Sequence, residues 1–77
     1  MRISSSRIHD NAIGVLAVGA NADVDIFSNK FLMNGVDIAC RDQNPGVSGD
    51  LNTNAGNYAT CQTCANCPFG SPLVTLP

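Results

Sequence analysis

The chain has 77 residues, which is enough for one small domain, and a domain near this size buries only roughly 60% of the surface that its unfolded chain exposes. Its four basic and six acidic residues are scattered and form no patch that would follow a phosphate backbone, so the composition argues against nucleic-acid binding. No segment approaches the roughly 20 consecutive apolar residues of a membrane-spanning helix, so no membrane partner is expected.

The first forty residues match themselves at an offset of 23 residues, without a gap. The matched pairs include Ile3 with Ile26, Ile8 with Phe31, Asn11 with Asn34 and Val15 with Ile38. A tandem repeat of this length is typical of stacked structures in which each copy buries its apolar face against the next copy. The sequence therefore specifies the fold better than the activity.

Apolar and polar residues alternate within each copy, as over residues 13–18, and this is the period of an extended strand. Between the strands lie the segments 9–11 and 32–35, where Asn, Asp and Gly favour turns. Strand, turn, strand and turn within one repeat predict that successive copies stack in parallel, with equivalent side chains above one another. At one corner we expect Asn11 and Asn34 to stack as an amide ladder that satisfies turn backbone.

Residues 1–40 are therefore predicted to form two coils, and their pattern resembles the right-handed parallel β-helix of the pectin-lyase-like families. The residues that carry the resemblance are 3–15 and 26–38, in which an inward apolar residue precedes a turn Asn and then a Gly or Ala. The resemblance implies an all-β fold, a right-handed parallel β-helix solenoid of about two to three coils. It also implies a terminal or truncated segment of a longer solenoid.

Two interpretations of the Asn- and Gly-rich residues 41–60 stay open. Few apolar residues occur over 41–56, which is typical of a long surface loop. The segment is also compatible with a degenerate third coil, because Asn57 continues the turn row at the same offset. In that third copy, Gly49 and Asn54 replace the Ile and Phe of the earlier rows.

Residues 61–77 are rich in Cys and Pro and are predicted to form a C-terminal cap or tail. Leu73, Val74 and Leu76 either cover an open coil end or belong to a frayed terminus. Two or three coils are few for such a fold, and each open end exposes unpaired backbone N–H and C=O groups. The expected partner is the rest of a longer solenoid, or another molecule through self-association of open coil ends, with polysaccharide as the other partner considered.

Cys40, Cys61, Cys64 and Cys67 are the one concentrated chemical signal in the sequence. Disulfide bonding, as two disulfides or as one disulfide plus free thiols, is the favoured interpretation, and reduced structural cysteines and a metal site are the alternatives. A Cys40–Cys64 bridge has plausible reach, because Cys64 lies one residue from the position that stacks on Cys40. Closing that loop stabilises a fold by roughly 3 kcal/mol in the chain-entropy model. Disulfides in so small a protein imply an extracellular or cell-surface location.

The metal alternatives use the same four cysteines. The run C-x-x-C-x-x-C followed by Pro68 is similar to the cluster-binding run of bacterial ferredoxins, but Gly70 and Ser71 stand where that run continues toward a fourth Cys. Cys40 would have to supply the fourth ligand. A zinc site with four thiolates is the second alternative, although the overlapping spacing makes separate ligand pairs awkward. We therefore assign no metal site and no cofactor.

His9 and Asp10 are the one pair to consider for acid–base chemistry, with Arg7 nearby. Enzymes resembling this fold act on acidic polysaccharides with carboxylates, often a bound calcium ion, and an Arg or Lys base from several coils. No carboxylate pair recurs from copy to copy here, so His9 and Asp10 are interpreted as solvated turn residues and no catalytic residue is assigned. Asp25 is expected to pair with Arg2 across the strands rather than to bind calcium.

The leading functional hypothesis is a non-catalytic structural or carbohydrate-contacting β-helix segment of a larger secreted or surface protein. One alternative is a fragment of a polysaccharide lyase or hydrolase whose catalytic coils lie outside this chain. The other alternative is a small Cys-ligated metal or iron–sulfur module.

Overall fold

The structure is a computed structural model, and it describes residues 1–69 and the backbone of residues 75 and 76. These residues form an all-β fold without a helix, as the alternating pattern predicts. The strands of this part of the chain are β1 (Arg2–Ser4), β2 (Arg7–His9), β3 (Ile13–Val18), β4 (Asp23–Phe27), β5 (Lys30–Leu32), β6 (Val36–Arg41), β7 (Gly46–Asp50), β8 (Thr53–Ala55), β9 (Ala59–Gln62) and β10 (Thr75–Leu76). Nothing in the described residues forms a helix long and apolar enough to span a membrane.

Within the described residues the strands form three parallel sheets. Sheet A has the order β1-β4-β7, sheet B the order β2-β5-β8, and sheet C the order β3-β6-β9-β10. The chain therefore passes through sheets A, B and C in the same order three times. We call each passage a layer, so that β1 to β3 form the first layer, β4 to β6 the second and β7 to β9 the third.

Neighbouring layers pair in the register that the repeat predicts. Ile3 lies opposite Ile26, Ile8 opposite Phe31 and Val15 opposite Ile38. These pairs differ by 23 positions, and every pair of strands runs parallel. The predicted parallel stacking of the two copies is confirmed.

A third layer occupies much of the segment for which a surface loop was one interpretation. Residues 46–55 contain β7 and β8. Val47 lies opposite Val24, which continues the same register, so the loop interpretation is wrong over these residues. Gly49 breaks the apolar row for a steric reason: it lies opposite Ile26, and a Cβ at this position would collide with the Ile26 carbonyl oxygen.

The layers turn at corners where one residue adopts a left-handed backbone conformation. These residues recur at the repeat interval, with Ser5, Ser28 and Leu51 at the first corner and Asp10, Met33 and Gly56 at the second. A positive φ costs a residue with a Cβ about 1–2 kcal/mol relative to glycine, so the corners carry local strain that the sheets on both sides hold in place.

Leu51 offers a test of that strain. Its φ is 60° and its side chain is 72% exposed, so a glycine there loses little burial and relieves the left-handed penalty. We expect Leu51→Gly to raise the free energy of unfolding by about 0.5–1 kcal/mol in urea titrations. Thr53→Gly, in the exposed strand that follows, is the control and is expected to lower it. A loss of stability in Leu51→Gly would contradict the corner assignment.

The core lies between the three sheets. The second layer contributes a large, fully buried apolar side chain from each sheet, namely Ile26, Phe31 and Ile38. Complete burial of such a side chain contributes roughly 1.5–3 kcal/mol. Of the predicted cap over 61–77, residues 70–74 and 77 lie outside the described residues, as do the side chains of residues 75 and 76. The expectation that Leu73, Val74 and Leu76 cover an open end therefore stays a prediction.

Candidate functional site

One end of the sheets, which we call the closed end, is covered in part by Phe69 and β10. Phe69 forms a parallel bridge with Asn52, and its ring packs edge-on against Phe31 with 5.3 Å between the ring centroids. In sheet C, β10 pairs with the outer side of β9. Phe69 is itself buried, so it completes the core at this end.

Two disulfides fix the closed end. Cys40 in the second layer is bonded to Cys64, with Cα atoms 5.0 Å apart, and Cys61 is bonded to Cys67, with Cα atoms 5.9 Å apart. All four cysteines lie within the described residues, and none has a free thiol. Zinc and iron–sulfur sites need thiolates, so the two metal alternatives have no free sulfur ligand in this oxidised form.

Buried asparagines stack at the first corner. Asn29 Oδ1 accepts a hydrogen bond from the Ser6 N–H at 2.9 Å, and Asn52 Oδ1 accepts one from the Asn29 N–H at 3.0 Å. Asn52 Nδ2 also donates to the carbonyl oxygens of Ile26 at 2.9 Å and Pro68 at 2.7 Å. Sequence reasoning missed this ladder, although its members follow one another at the repeat interval.

The second corner carries a shorter ladder. Asn34 Oδ1 accepts hydrogen bonds from the backbone N–H of Asn11 at 3.1 Å and from its Nδ2 at 3.2 Å. Asn34 Nδ2 donates to the Ile8 carbonyl oxygen at 3.0 Å. Asn57 stands one repeat further on, but its side-chain nitrogen and oxygen are buried without a hydrogen-bond partner. The ladder therefore joins two layers and does not extend to the third.

Asp37 is a completely buried carboxyl group beside this corner. Its Oδ1 accepts a hydrogen bond from Asn34 Nδ2 at 3.1 Å, whereas its Oδ2 and the Asn54 Nδ2 have no partner of hydrogen-bond geometry. Burial raises the pKa of Asp37, because desolvation penalises the ionised form, and the Asn34 and Asn54 amides offset only part of this effect. Sequence reasoning assigned no role to this residue.

The raised pKa of Asp37 makes stability depend on pH in a defined direction. The folded state binds the proton more tightly than the unfolded state, so this contribution is fully present below the ordinary carboxyl pKa and is lost as pH rises through the raised folded pKa. We therefore expect Asp37→Asn to stabilise the protein at pH 7, and the gain to shrink toward pH 3. Urea titrations of both proteins at the two pH values measure this, and a gain that is larger at pH 3 would contradict it.

His9 and Asp10 do contact each other, with 2.6 Å between Nδ1 and Oδ2, but the pair lies exposed at a corner. The outward neighbours along sheet B are Arg7 and Lys30, which lie opposite each other. Asn11 Nδ2 donates to the His9 carbonyl oxygen at 2.9 Å, but among the described residues no third side chain forms a hydrogen bond with the His9 ring or the Asp10 carboxylate. The pair therefore has the geometry of a surface turn contact and lacks the orienting partner of an acid–base site.

The expected ion pair between Arg2 and Asp25 is wrong, although their Cα atoms are paired in sheet A. The Arg2 guanidinium lies over the Phe27 ring, with Cζ 4.9 Å from the centroid. Asp25 Oδ1 instead accepts a hydrogen bond from the Ser48 hydroxyl at 2.6 Å. An aromatic face attracts the cation and a hydroxyl satisfies the carboxylate, so each group has another partner on the same outer face.

The part of the chain that the structure describes contains no group of three or more His, Cys, Asp or Glu side chains that could hold a metal ion. No pocket is found there either.

The end opposite the closed end is different, and we call it the open end. Sheets A, B and C finish there on β1, β2 and β3, and no described strand pairs with their outer edges. Ile3 and Ile8 pack against the core but are only partly buried. The first layer therefore presents free backbone groups around an incompletely covered apolar interior.

No family model matches this chain, and no curated protein or solved structure is significantly similar to it.

Proposed function

We propose that this chain is a non-catalytic structural segment, a right-handed parallel β-helix of the pectin-lyase-like type that ends a stack of coils. The observation that carries the proposal is the difference between the two ends. Phe69, β10 and two disulfides close one end, whereas β1, β2 and β3 leave the other end able to pair with further strands. An element built in this way terminates a stack on one side and continues it on the other.

Three features support the β-helix. The chain visits the three sheets in a constant order, the layers pair in parallel at a fixed interval, and left-handed corner residues recur at the same interval. Repeats of this kind bury their apolar faces only against their neighbours. The free edge at the open end is therefore the surface on which another coil would stack.

The two disulfides support an extracellular or cell-surface location, because such bonds persist in oxidising compartments. The outer faces of the strands carry exposed polar side chains such as Arg7, Lys30 and Thr53, which suit contact with carbohydrate hydroxyl or acidic groups. Polysaccharide contact is thus the ligand-binding part of the proposal. Coil stacking at the open end is the structural part.

An added coil tests the structural part. Residues 1–23 contain no cysteine and span one repeat, so a second copy of them placed before Met1 is expected to stack on the first layer. The stack then buries more apolar surface, and both the unfolding midpoint and the urea m-value are expected to rise. The control carries the same residues in scrambled order. Equal stability of the two proteins would contradict the proposal.

A polysaccharide panel separates the scaffold from the enzyme. We expect some anionic or neutral polysaccharides to bind the protein. We expect none of them to gain new unsaturated or reducing ends during incubation with it. Release of new chain ends would favour the lyase or hydrolase alternative.

An intact mass reduced by four hydrogens, with no change on adding chelator, is the result expected for the disulfide form.

A further inference from the structure

The open end has a repeating, self-complementary character. β1 and β2 have the same length, each begins with Arg and has Ile at its centre, and in each the central Ile is partly buried between two exposed residues. On β3, Val15 and Ala17 are buried, whereas Leu16 and Val18 are about half exposed. Natural proteins cover or blunt free strand edges of this kind, because unpaired N–H and C=O groups readily recruit another chain.

We propose that a second copy of this chain covers the open end and forms a dimer with twofold symmetry. The inference rests on the proposed function, since it names the occupant of the edge where another coil would stack. A head-to-tail arrangement could not continue all three sheets, because β10 already occupies the edge of sheet C at the closed end and Phe69 forms a bridge to Asn52 beside β8. Two open ends offer all three sheet edges to each other, and their meeting gives an isologous and self-limiting contact.

Twofold symmetry determines how the edges pair. Strands related by a twofold axis across this end run antiparallel, so β1 of one copy lies along β2 of the other. Aligning their centres places Ile3 opposite Ile8 of the second copy, and both side chains point toward the apolar interior. Arg2 then lies opposite His9 of the second copy, and the His9 ring contacts the Asp10 carboxylate of that same copy. The Arg2 cation therefore lies near a carboxylate, so the charges at this contact are complementary.

The same axis fixes the pairing of β3. Pairing Ile3 with Ile8 places the twofold axis midway between residues 5 and 6. Half of a 23-residue layer further along the chain, the axis crosses β3 at Ala17. Leu16 then lies opposite Val18 of the second copy, and the reverse contact also forms. Leu16 and Val18 are the half-exposed apolar side chains of β3, so the dimer buries part of their exposed surface in two symmetry-related contacts.

The size of the open end sets the expected strength of the dimer. The molecule measures 29 × 24 × 21 Å, so an end face covers at most about 700 Å², slightly less than the roughly 800 Å² that each partner contributes to a standard interface. A reversible dimer with micromolar dissociation is therefore expected.

Sedimentation velocity on the 77-residue chain from about 1 μM to 1 mM tests the proposal, because a dimer with micromolar dissociation becomes populated within that range. Two double variants sharpen it, Leu16→Lys with Val18→Lys and Leu16→Asp with Val18→Asp. Each places like charges opposite each other and is expected to stay monomeric, whereas an equimolar mixture of the two is expected to form heterodimers. Leu51→Lys, on the exposed first corner of the third layer, is the control and is expected to dimerise normally.

Cooperative thermal unfolding of each variant shows that it is folded. A wild-type monomer throughout the range would overturn the proposal, as would dimers of the Lys double variant or a series of growing oligomers. If the wild type is monomeric but the added coil described above still stabilises it, the dimer is wrong and the proposed scaffold stands. If neither effect occurs, both are wrong.

Discussion

Replacing Cys40 and Cys64 together by Ala is expected to lower the free energy of unfolding by about 3 kcal/mol. Their bond closes a loop with a sequence separation of 24 and ties the second layer to the chain after β9. Without it the unfolded chain gains conformational freedom, while the folded state loses little packing because Ala17 fills the same row in the first layer. Urea denaturation under non-reducing conditions measures the change.

The second disulfide provides a matched control. Cys61 and Cys67 close a loop with a sequence separation of only 6, so the chain-entropy model gives a smaller effect of about 2 kcal/mol. The control variant is Cys61→Val with Cys67→Ala, because Val15 occupies the row of Cys61 two layers away and the volume is kept. A larger loss in this control than in the Cys40 and Cys64 variant would contradict the role given to the longer loop.

Asn52→Ala is expected to cost about 3 kcal/mol, because it leaves several buried backbone groups without partners. Asn52 Oδ1 accepts a hydrogen bond from the Asn29 N–H, and Asn52 Nδ2 donates hydrogen bonds to the carbonyl oxygens of Ile26 and Pro68. It thereby joins the second layer, the third layer and the closed end through one amide. The effect is measurable as a shift in the urea midpoint with an unchanged m-value.

Asn57→Ala is the matched control for this prediction. Asn57 is the same residue type at the other corner of the third layer, but its buried amide atoms make no hydrogen bond. Removing an unsatisfied polar group relieves a desolvation cost, so this variant is expected to be neutral or slightly more stable. Equal losses from the two substitutions would show that the corner ladder is not the source of the effect.

The repeat predicted the parallel pairing of the first two layers because apolar residues at a constant interval must share one interior. Ile8 and Phe31 differ in size but are both apolar, and their strands pair as expected. The third layer was harder to predict because its rows are chemically different. Gly49 is required where a Cβ would collide with backbone, and Asn54 lies opposite Phe31. The backbone keeps the same register in the third layer, but these two residues do not show the apolar pattern from which the register could be predicted.

The site residues depended on neighbours that one sequence does not reveal. Strict alternation places Asp37 on the side of β6 opposite Ile38, yet the structure buries both of them completely. Asn29 is one Asn among many in the sequence, and its role follows only from the stacking of Ser6 and Asn52 on either side of it. Arg2 illustrates the same dependence, since Phe27 competes with the expected acidic partner.

Solution NMR tests the central claim most directly, which is that successive 23-residue segments lie in parallel register. Amide and α-proton nuclear Overhauser contacts are expected between Ile3 and Ile26 and between Val15 and Ile38, and again one layer further on. Contacts among β1 to β9 at other separations, or antiparallel patterns within one molecule, would contradict the account.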